Sequence, residues 1–318
     1  MAGGRVVALG EVLVDFVSKD TGSEPVGEGM VPRFGGSPAN IAVGAARFGA
    51  RSAFLGGAGE DRWGRWLEGI LETEGVELGG FRLLEGVETP TAQVTLSDGE
   101  PGFRFRGDRE ECVVAAAGAI GEALAAPPGV FVFGSDTLIG DGERALTLRA
   151  QRLARARGWT VLYDPNLRPI RWEEEAAMLG TASGPIADAT IVKANAGEAM
   201  ALTGAGDSAS AADAILAAGA RAAVVTLGAD GAVVSSTARK RQHVDAPRAE
   251  IVDATGAGDA VAAVIAAAVA EGADLGGLLA VLELAVAVAS RVVGAPGALA
   301  GLPPAVEARE SLRRALSG

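Results

Sequence analysis

Residues 251–269 read IVDATGAGDAVAAVIAAAV: a short β-type lead, a glycine turn carrying one acid, Asp259, and an alanine-rich run with no further charge before Glu271. Gly256 and Gly258 let the backbone turn tightly, and the helix that follows presents unpaired N–H groups and a positive dipole end. That is an anion site. The chain has no G-x-x-x-x-G-K-[ST] stretch, so it is an anion site without a lysine. A carboxylate there is the natural partner of a hydroxyl attacking a bound phosphoryl group: it takes the proton while the amides hold the moving charge. The plainer reading makes Asp259 an N-cap behind a loop of small residues.

Outward from this stretch, RVVALG, SAFLGG, GVFVFGS, TVLYDP, ATIVKAN and AAVVTLG are near-continuous apolar runs ending at glycine or a polar residue. Helical patterns lie between them at 40–48, 62–74, 142–157, 196–202 and 208–218. Continuous runs mean strands buried on both faces, and β-α alternation means a parallel sheet covered by helices, with ligands at the strands' carboxyl ends. Two segments, 17–34 and 87–106, are richer in glycine and charge, and TAQVTL and FRFR alternate as half-exposed strands do. They predict a small second sheet leaning over the active-site edge.

At 318 residues the chain has room for one large α/β domain or two small ones. The net charge of −12 opposes the phosphate field of a nucleic acid. Arg239, Lys240 and Arg241 read as a solvated turn. Cys112, the one cysteine, excludes an internal disulfide and suits a reducing cytoplasm, and it reads as a core residue. His243, the one histidine, reads as an exposed strand residue. The first residues lack a signal-peptide pattern, and the apolar tract at 260–270 is too short to span a bilayer. The tract at 278–293 carries Glu283 and Arg291 and reads as a buried helix.

GGSPANIAVGAARFG, at 35–49, joins a diglycine to an amphipathic helix with Asn40 at its beginning. With DATGAGD it resembles the signatures of the ribokinase-like sugar kinases, the phosphofructokinase-B family. Further elements follow in the family's order: GEVLVDF with Asp15, GEDRWG from Gly59, DPNLRPIRW from Asp164, NAGE from Asn195, and VVTLGADGAVV. DPNLRPIRW resembles the fructokinase and ketodeoxygluconate-kinase branch in particular. The resemblance implies an α/β, ribokinase-like fold over residues 1–318: a mostly parallel sheet flanked by helices, with lid segments at about 17–34 and 87–107.

The resemblance also implies roles. Asp259 is the expected base, with Gly256, Ala257 and Gly258 supplying the anion hole. Asp15, Gly35, Gly36 and Asn40 are expected to bind sugar hydroxyls, and Arg106 and Arg168 to face the phosphate or the substrate's distal end. Asn195 and Glu198 would organise Mg²⁺ and phosphate through water, and Thr226, Gly228 and Gly231 would line ATP. Several relatives use K⁺, for which Asp253 and the carbonyls of 293–297 are candidates. A homodimer through the lid is a further expectation.

Each role has a plainer counterpart: Asp61 as a helix cap, Asn195 and Glu198 as a helix start, Arg168 as a turn residue. The stretch LAVAVASRVVGAPGA departs from the family, with Val286 near an expected Asn and Gly294-Ala295 near an expected Thr-Arg. That leaves the adenine contacts open. The reading is an ATP-dependent kinase acting on a primary hydroxyl, with fructose favoured over 2-keto-3-deoxygluconate because Asp15 repels an acid. A nucleoside kinase and a silent sugar- or nucleotide-binding protein of the same fold are the rivals. A nicotinamide dehydrogenase is excluded, since no G-x-G-x-x-G follows the first strand.

Overall fold

The structure is a computed structural model and describes residues 4–18, 30–97 and 100–317. Its strands, in chain order, are β1 (Arg5–Leu9), β2 (Leu13–Ser18), β3 (Met30–Gly35), β4 (Arg51–Gly59), β5 (Glu77–Leu84), β6 (Thr91–Ser97), β7 (Glu100–Arg106), β8 (Val130–Gly134), β9 (Thr160–Asp164), β10 (Ile191–Asn195), β11 (Ala222–Thr226), β12 (Ala232–Ser236) and β13 (Gln242–Val244). Among its helices are α1 (Ser37–Arg47), α2 (Arg62–Thr73), α3 (Asp141–Ala156), α4 (Ala196–Thr203), α5 (Ser208–Ala217), α6 (Ala257–Ala270), α7 (Leu278–Val292) and α8 (Ala305–Ser317).

Nine strands form one sheet in the order β13-β12-β11-β10-β9-β8-β1-β4-β5. Pairing is parallel from β11 to β5 and antiparallel at β11–β12 and β12–β13. All six apolar runs are strands of this sheet, and their unbroken hydrophobicity follows from cores on both faces. On β1, Val6 and Ala8 join the core under α1, α2, α6, α7 and α8, while Val7 and Leu9 join the core under α3, α4 and α5. No helix among the described residues is long and apolar enough to cross a membrane.

The alternating segments form the second sheet, in the order β3-β2-β6-β7, with β2–β3 and β6–β7 antiparallel and β2–β6 parallel. Residues 19–29 of the first expected lid segment lie outside the described residues. The root of the second pair is tied down by Asp61. Its Oδ1 accepts from the N–H groups of Trp63 and Gly64, capping α2, and from Thr89 Oγ1 at 2.7 Å, while Thr89 N donates to Oδ2. The capping reading of Asp61 therefore holds.

Helix α1 starts three residues earlier than its apolar pattern predicted, at Ser37. Gly36 caps it at φ 100°, Pro38 sits in its first turn, and the amide of Asn40 closes that turn on the Gly36 carbonyl at 2.8 Å. Its approach to α6 is very close. A Cβ on Gly44 would fall 2.5 Å from the Ala263 Cβ, a contact that real side chains do not make. Small residues on both helices, Gly44 and Ala263, thus set their separation. Gly44→Ala is expected to lower the free energy of unfolding by about 1–3 kcal/mol, because the methyl has no room. That outcome reverses the roughly 1 kcal/mol by which alanine favours an isolated helix over glycine. Urea unfolding measures it, and equal or higher stability would contradict the close contact.

Candidate active site

Parallel strands β1, β8, β9, β10 and β11 all point their carboxyl ends at one edge. The chain leaves β1 toward β4 on one side, whereas β8 to β11 extend on the other, so the sheet has its switch point between β1 and β8. Two clefts open there, of about 550 Å³ and about 450 Å³. Thr226, Ala254 and Gly258 line both, so the clefts meet at the N-terminus of α6.

At that meeting point Gly256, not Asp259, is the N-cap of α6. Its φ of 81° is left-handed, and a Cβ there would fall 2.4 Å from the Ala298 Cβ, so the turn requires glycine. Asp259 is the third helical residue, and its carboxylate is held from α1. Ser37 Oγ donates to Oδ1 at 2.6 Å, and Asn40 Nδ2 donates to Oδ2 at 2.8 Å. This sets aside the capping reading of Asp259. Asn40 Oδ1 is buried and has no partner among the described residues.

Asp15 and Gly36 line the larger cleft beside them. Burial lifts the Asp15 carboxyl to about 6; Arg168 opposes the shift, and Asp259 and Asp253 add to it. Gly35 is not in the lining but backs Asp15, since a Cβ there would fall 2.2 Å from Asp15 Oδ2. Arg168 is exposed and lines the cleft. Arg106 departs from its expected place: it is exposed on β7 and absent from the lining, because strand alternation turns Phe105 to the cleft instead. There the Phe105 ring stacks under the Arg171 guanidinium, 4.5 Å away.

Asn195 and Glu198 line the cleft where β10 becomes α4, and they are also a reciprocal helix cap. The Glu198 amide donates to Asn195 Oδ1, the Asn195 amide to Glu198 Oε2, and the Leu167 amide to Glu198 Oε1, at 2.9, 2.9 and 3.0 Å. Asp253 clamps two loops, accepting from the amides of Thr255 and Gly297 at 2.9 and 2.8 Å. Thr226, Gly228, Gly231 and Ala257 line the smaller cleft with Pro247, Ile251, Val286 and Val293, an apolar slot that includes the departing Val286. Cys112 is buried, its thiol pushed up to about 12 by burial, and His243 is exposed on β13.

The cleft residues that escaped the sequence reading include Ser37, Glu11, Asp136 and Lys193. Ser37 and Glu11 stood inside quoted motifs, and Asp136 follows the apolar run of β8. Lys193 corrects the expectation of an anion site without a lysine. It sits inside the run IVKAN, and a Cβ on Gly258 would fall 2.7 Å from its Nζ. The lysine comes from a neighbouring strand rather than from the glycine turn, so no local motif announces it.

Glu11 is buried, with Oε2 lacking a partner among the described residues; burial first, and then the Asp136 charge, push its carboxyl up to about 7 against Arg109 and Arg171. Arg109 is itself occupied by Glu143 through two contacts of 2.7 and 2.6 Å. Between the ordinary value of 4.5 and about 7, the folded chain keeps a proton that the unfolded chain has released. Glu11 therefore makes stability fall as pH rises through that window and level off above it. Glu11→Gln should reduce the loss of stability between pH 4 and pH 8 by about 3 kcal/mol, an upper figure from the size of the shift. Denaturant unfolding at the two pH values checks this, and an unchanged pH slope would contradict it.

The sequence pattern described as pfkB family carbohydrate kinase matches residues 4–305. The chain is 33% identical over 314 residues to "Probable fructokinase-4" of Arabidopsis thaliana, covering 97% of this chain and 96% of that one. It is 37% identical over 178 residues to "Fructokinase" of Solanum tuberosum, covering 55% of this chain and 56% of that one. The match thus spans about half the length of the Solanum relative. Among solved structures, fructokinase from Vibrio cholerae O395 in its fructose, ADP and calcium ion bound form superimposes with a TM-score of 0.84 at 26% identity, covering 98% of this chain and 100% of that one. A double mutant of that fructokinase was solved with fructose, ADP and potassium ion. Aminoimidazole riboside kinase from Salmonella enterica, complexed with aminoimidazole riboside and an ATP analog, gives 0.82 at 27% identity, covering 97% and 99%. The fold is ribokinase-like. With the family pattern running through nearly all of its length, the chain belongs to the pfkB family of carbohydrate kinases.

Proposed function

We propose that the protein is an ATP-dependent sugar kinase that transfers the γ-phosphoryl group of ATP to a primary hydroxyl of fructose. The observation that carries this reading is the meeting of a polar cleft and an apolar slot at one helix N-terminus, with a carboxylate held at the junction. The apolar slot suits a purine base. The polar cleft offers a sugar the Asp15 acceptors, the unpartnered Asn40 Oδ1 and the bare backbone of Gly36.

In this reading the sugar hydroxyl oxygen forms a bond to the γ-phosphorus as the bond to the ADP oxygen breaks, and Asp259 takes the hydroxyl proton. Ser37 and Asn40 fix the direction of the carboxylate and leave it lone pairs for that proton. The amides around Gly256, Ala257 and Gly258 face the moving charge at the positive end of α6. A carboxylate is a weak base, which is tolerable because the hydroxyl turns acidic only as the new P–O bond forms; positioning and charge stabilisation do most of the work. The small sheet acts as a lid that keeps water from competing as acceptor.

Magnesium belongs to the same reading. Both Glu198 oxygens already accept backbone N–H groups, and no cluster of three or more His, Cys, Asp or Glu among the described residues could hold a metal ion. Asn195 and Glu198 therefore fit a cation that keeps its waters and takes most of its ligands from the phosphates. Such an ion would offset phosphate charge. A potassium ion beside Asp253 would share a carboxylate that already clamps two loops.

Arg33, Arg168 and Arg171 also line the polar cleft, which favours 2-keto-3-deoxygluconate as the second reading. Acids stand beside them, however. Arg171 pairs with Asp136 at 3.1 Å, and Arg168 lies within the field of Asp15. A neutral sugar meets less repulsion there. A coupled ADP-release assay across fructose, 2-keto-3-deoxygluconate, ribose and nucleosides tests this, and fructose should give the highest kcat/KM. A tenfold preference for the keto acid, about 1.4 kcal/mol of transition-state binding, would overturn the fructose assignment.

A further inference from the structure

We propose that Lys193 is a further catalytic residue, its ammonium meeting the phosphoryl group in transit, and that Asp164 is the positioning residue that holds it there. The inference rests on the kinase reading above and adds two residues to it. Lys193 is the middle residue of β10, only 5% exposed, and lines the polar cleft. Its Nζ donates to Asp164 Oδ2, at the end of neighbouring β9, at 2.9 Å. On the other side it lies against Gly258, close enough that a Cβ there would fall 2.7 Å from Nζ. The ammonium is thus fixed between a carboxylate and the first turn of α6.

That placement is costly as pure architecture. An ammonium is poorly placed at a helix N-terminus, because the unpaired N–H groups there already form a positive pole. Burying it costs more, and one carboxylate offsets only part of that. Of its three N–H donors, the hydrogen bond to Asp164 is the one made among the described residues, and Asp164 Oδ1 is buried without a partner. The protein therefore keeps a charged group, with donors to spare, beside the amides that face the phosphoryl group. An anion arriving at the turn relieves the repulsion between the two positive features. As the terminal phosphoryl passes from ADP to the sugar oxygen, its oxygens stay within the field of both. A lysine in a phosphate-binding loop does the same from within its own turn.

The test must separate this role from a structural ion pair. Lys193→Met combined with Asp164→Val removes both charges at once, a replacement that folded proteins often accept. Three measurements follow on this variant and on the wild type: kcat with fructose and ATP, sugar affinity alone, and affinity for ADP with and without aluminium fluoride in the presence of sugar. The double variant is expected to bind sugar within threefold of wild type, to lose 10²–10³-fold in kcat, and to lose the gain in ADP affinity that aluminium fluoride confers. Turnover within tenfold of wild type, with that gain retained, would reduce the pair to architecture. Should the double variant not fold, Asp164→Asn gives the second reading. Its kcat should fall at least tenfold with sugar KM unchanged, and an unaltered kcat would overturn the assignment. Wild-type turnover in the same assay tests the kinase reading separately.

Discussion

The approach of α1 to α6 is the contact on which the rest of the site depends. Gly44 and Ala263 let the two helices lie closer than any larger pair would allow, and one and two turns away Asn40 and Ser37 reach the Asp259 carboxylate. Residues more than 200 positions apart in the chain are thereby joined at hydrogen-bonding distance. A bulkier residue at either Gly44 or Ala263 would separate the helices and release the acid. Packing and chemistry are one constraint here, and the helix tilt sets the direction of the carboxylate.

A second feature is the concentration of buried charge at the strand ends. Glu11, Asp15 and Asp164 are all lifted above the usual carboxylate range, to about 7, 6 and 7, chiefly by burial. Raised carboxyl values cost stability at neutral pH, because the folded chain must ionise acids that water would ionise more readily. The charges of Arg109 and Arg171 oppose the shift of Glu11, that of Arg168 opposes the shift of Asp15, and Lys193 opposes that of Asp164. Stability is given up at the same edge where function requires polar groups.

Much of this was legible in the sequence, for physical reasons. Parallel strands buried on both faces leave unbroken apolar runs, so the six strands nearest the core announced themselves, and the half-exposed lid strands announced themselves by alternation. Asp259 stood out because a lone acid between glycines and an apolar helix has few structural uses. What stayed hidden depended on distance. Lys193 reads as a blemish in a strand until β9 and the start of α6 are placed beside it. Glu11 and Asp136 come together only because β1 and β8 are neighbours across the switch point. Arg106 was misplaced by motif position alone, where strand alternation already pointed it outward. The start of α1 was read late because its first turn is Ser-Pro-Ala, without the apolar stripe that marks the rest; Pro38 was the overlooked signal.

The central claim is that Asp259 acts in phosphoryl transfer and that α1 orients it, and a double-mutant cycle on kcat at saturating fructose and ATP tests this most directly. Asp259→Ala should lower kcat by about 10²–10⁴-fold, and Ser37→Ala alone by roughly tenfold, the order expected for loss of a hydrogen bond to a charged group. With Asp259 already gone, removing Ser37 should change kcat less than about threefold, because the hydroxyl then has no carboxylate to direct. Losses that simply multiply, or an Asp259→Ala enzyme within tenfold of wild type, would contradict the account.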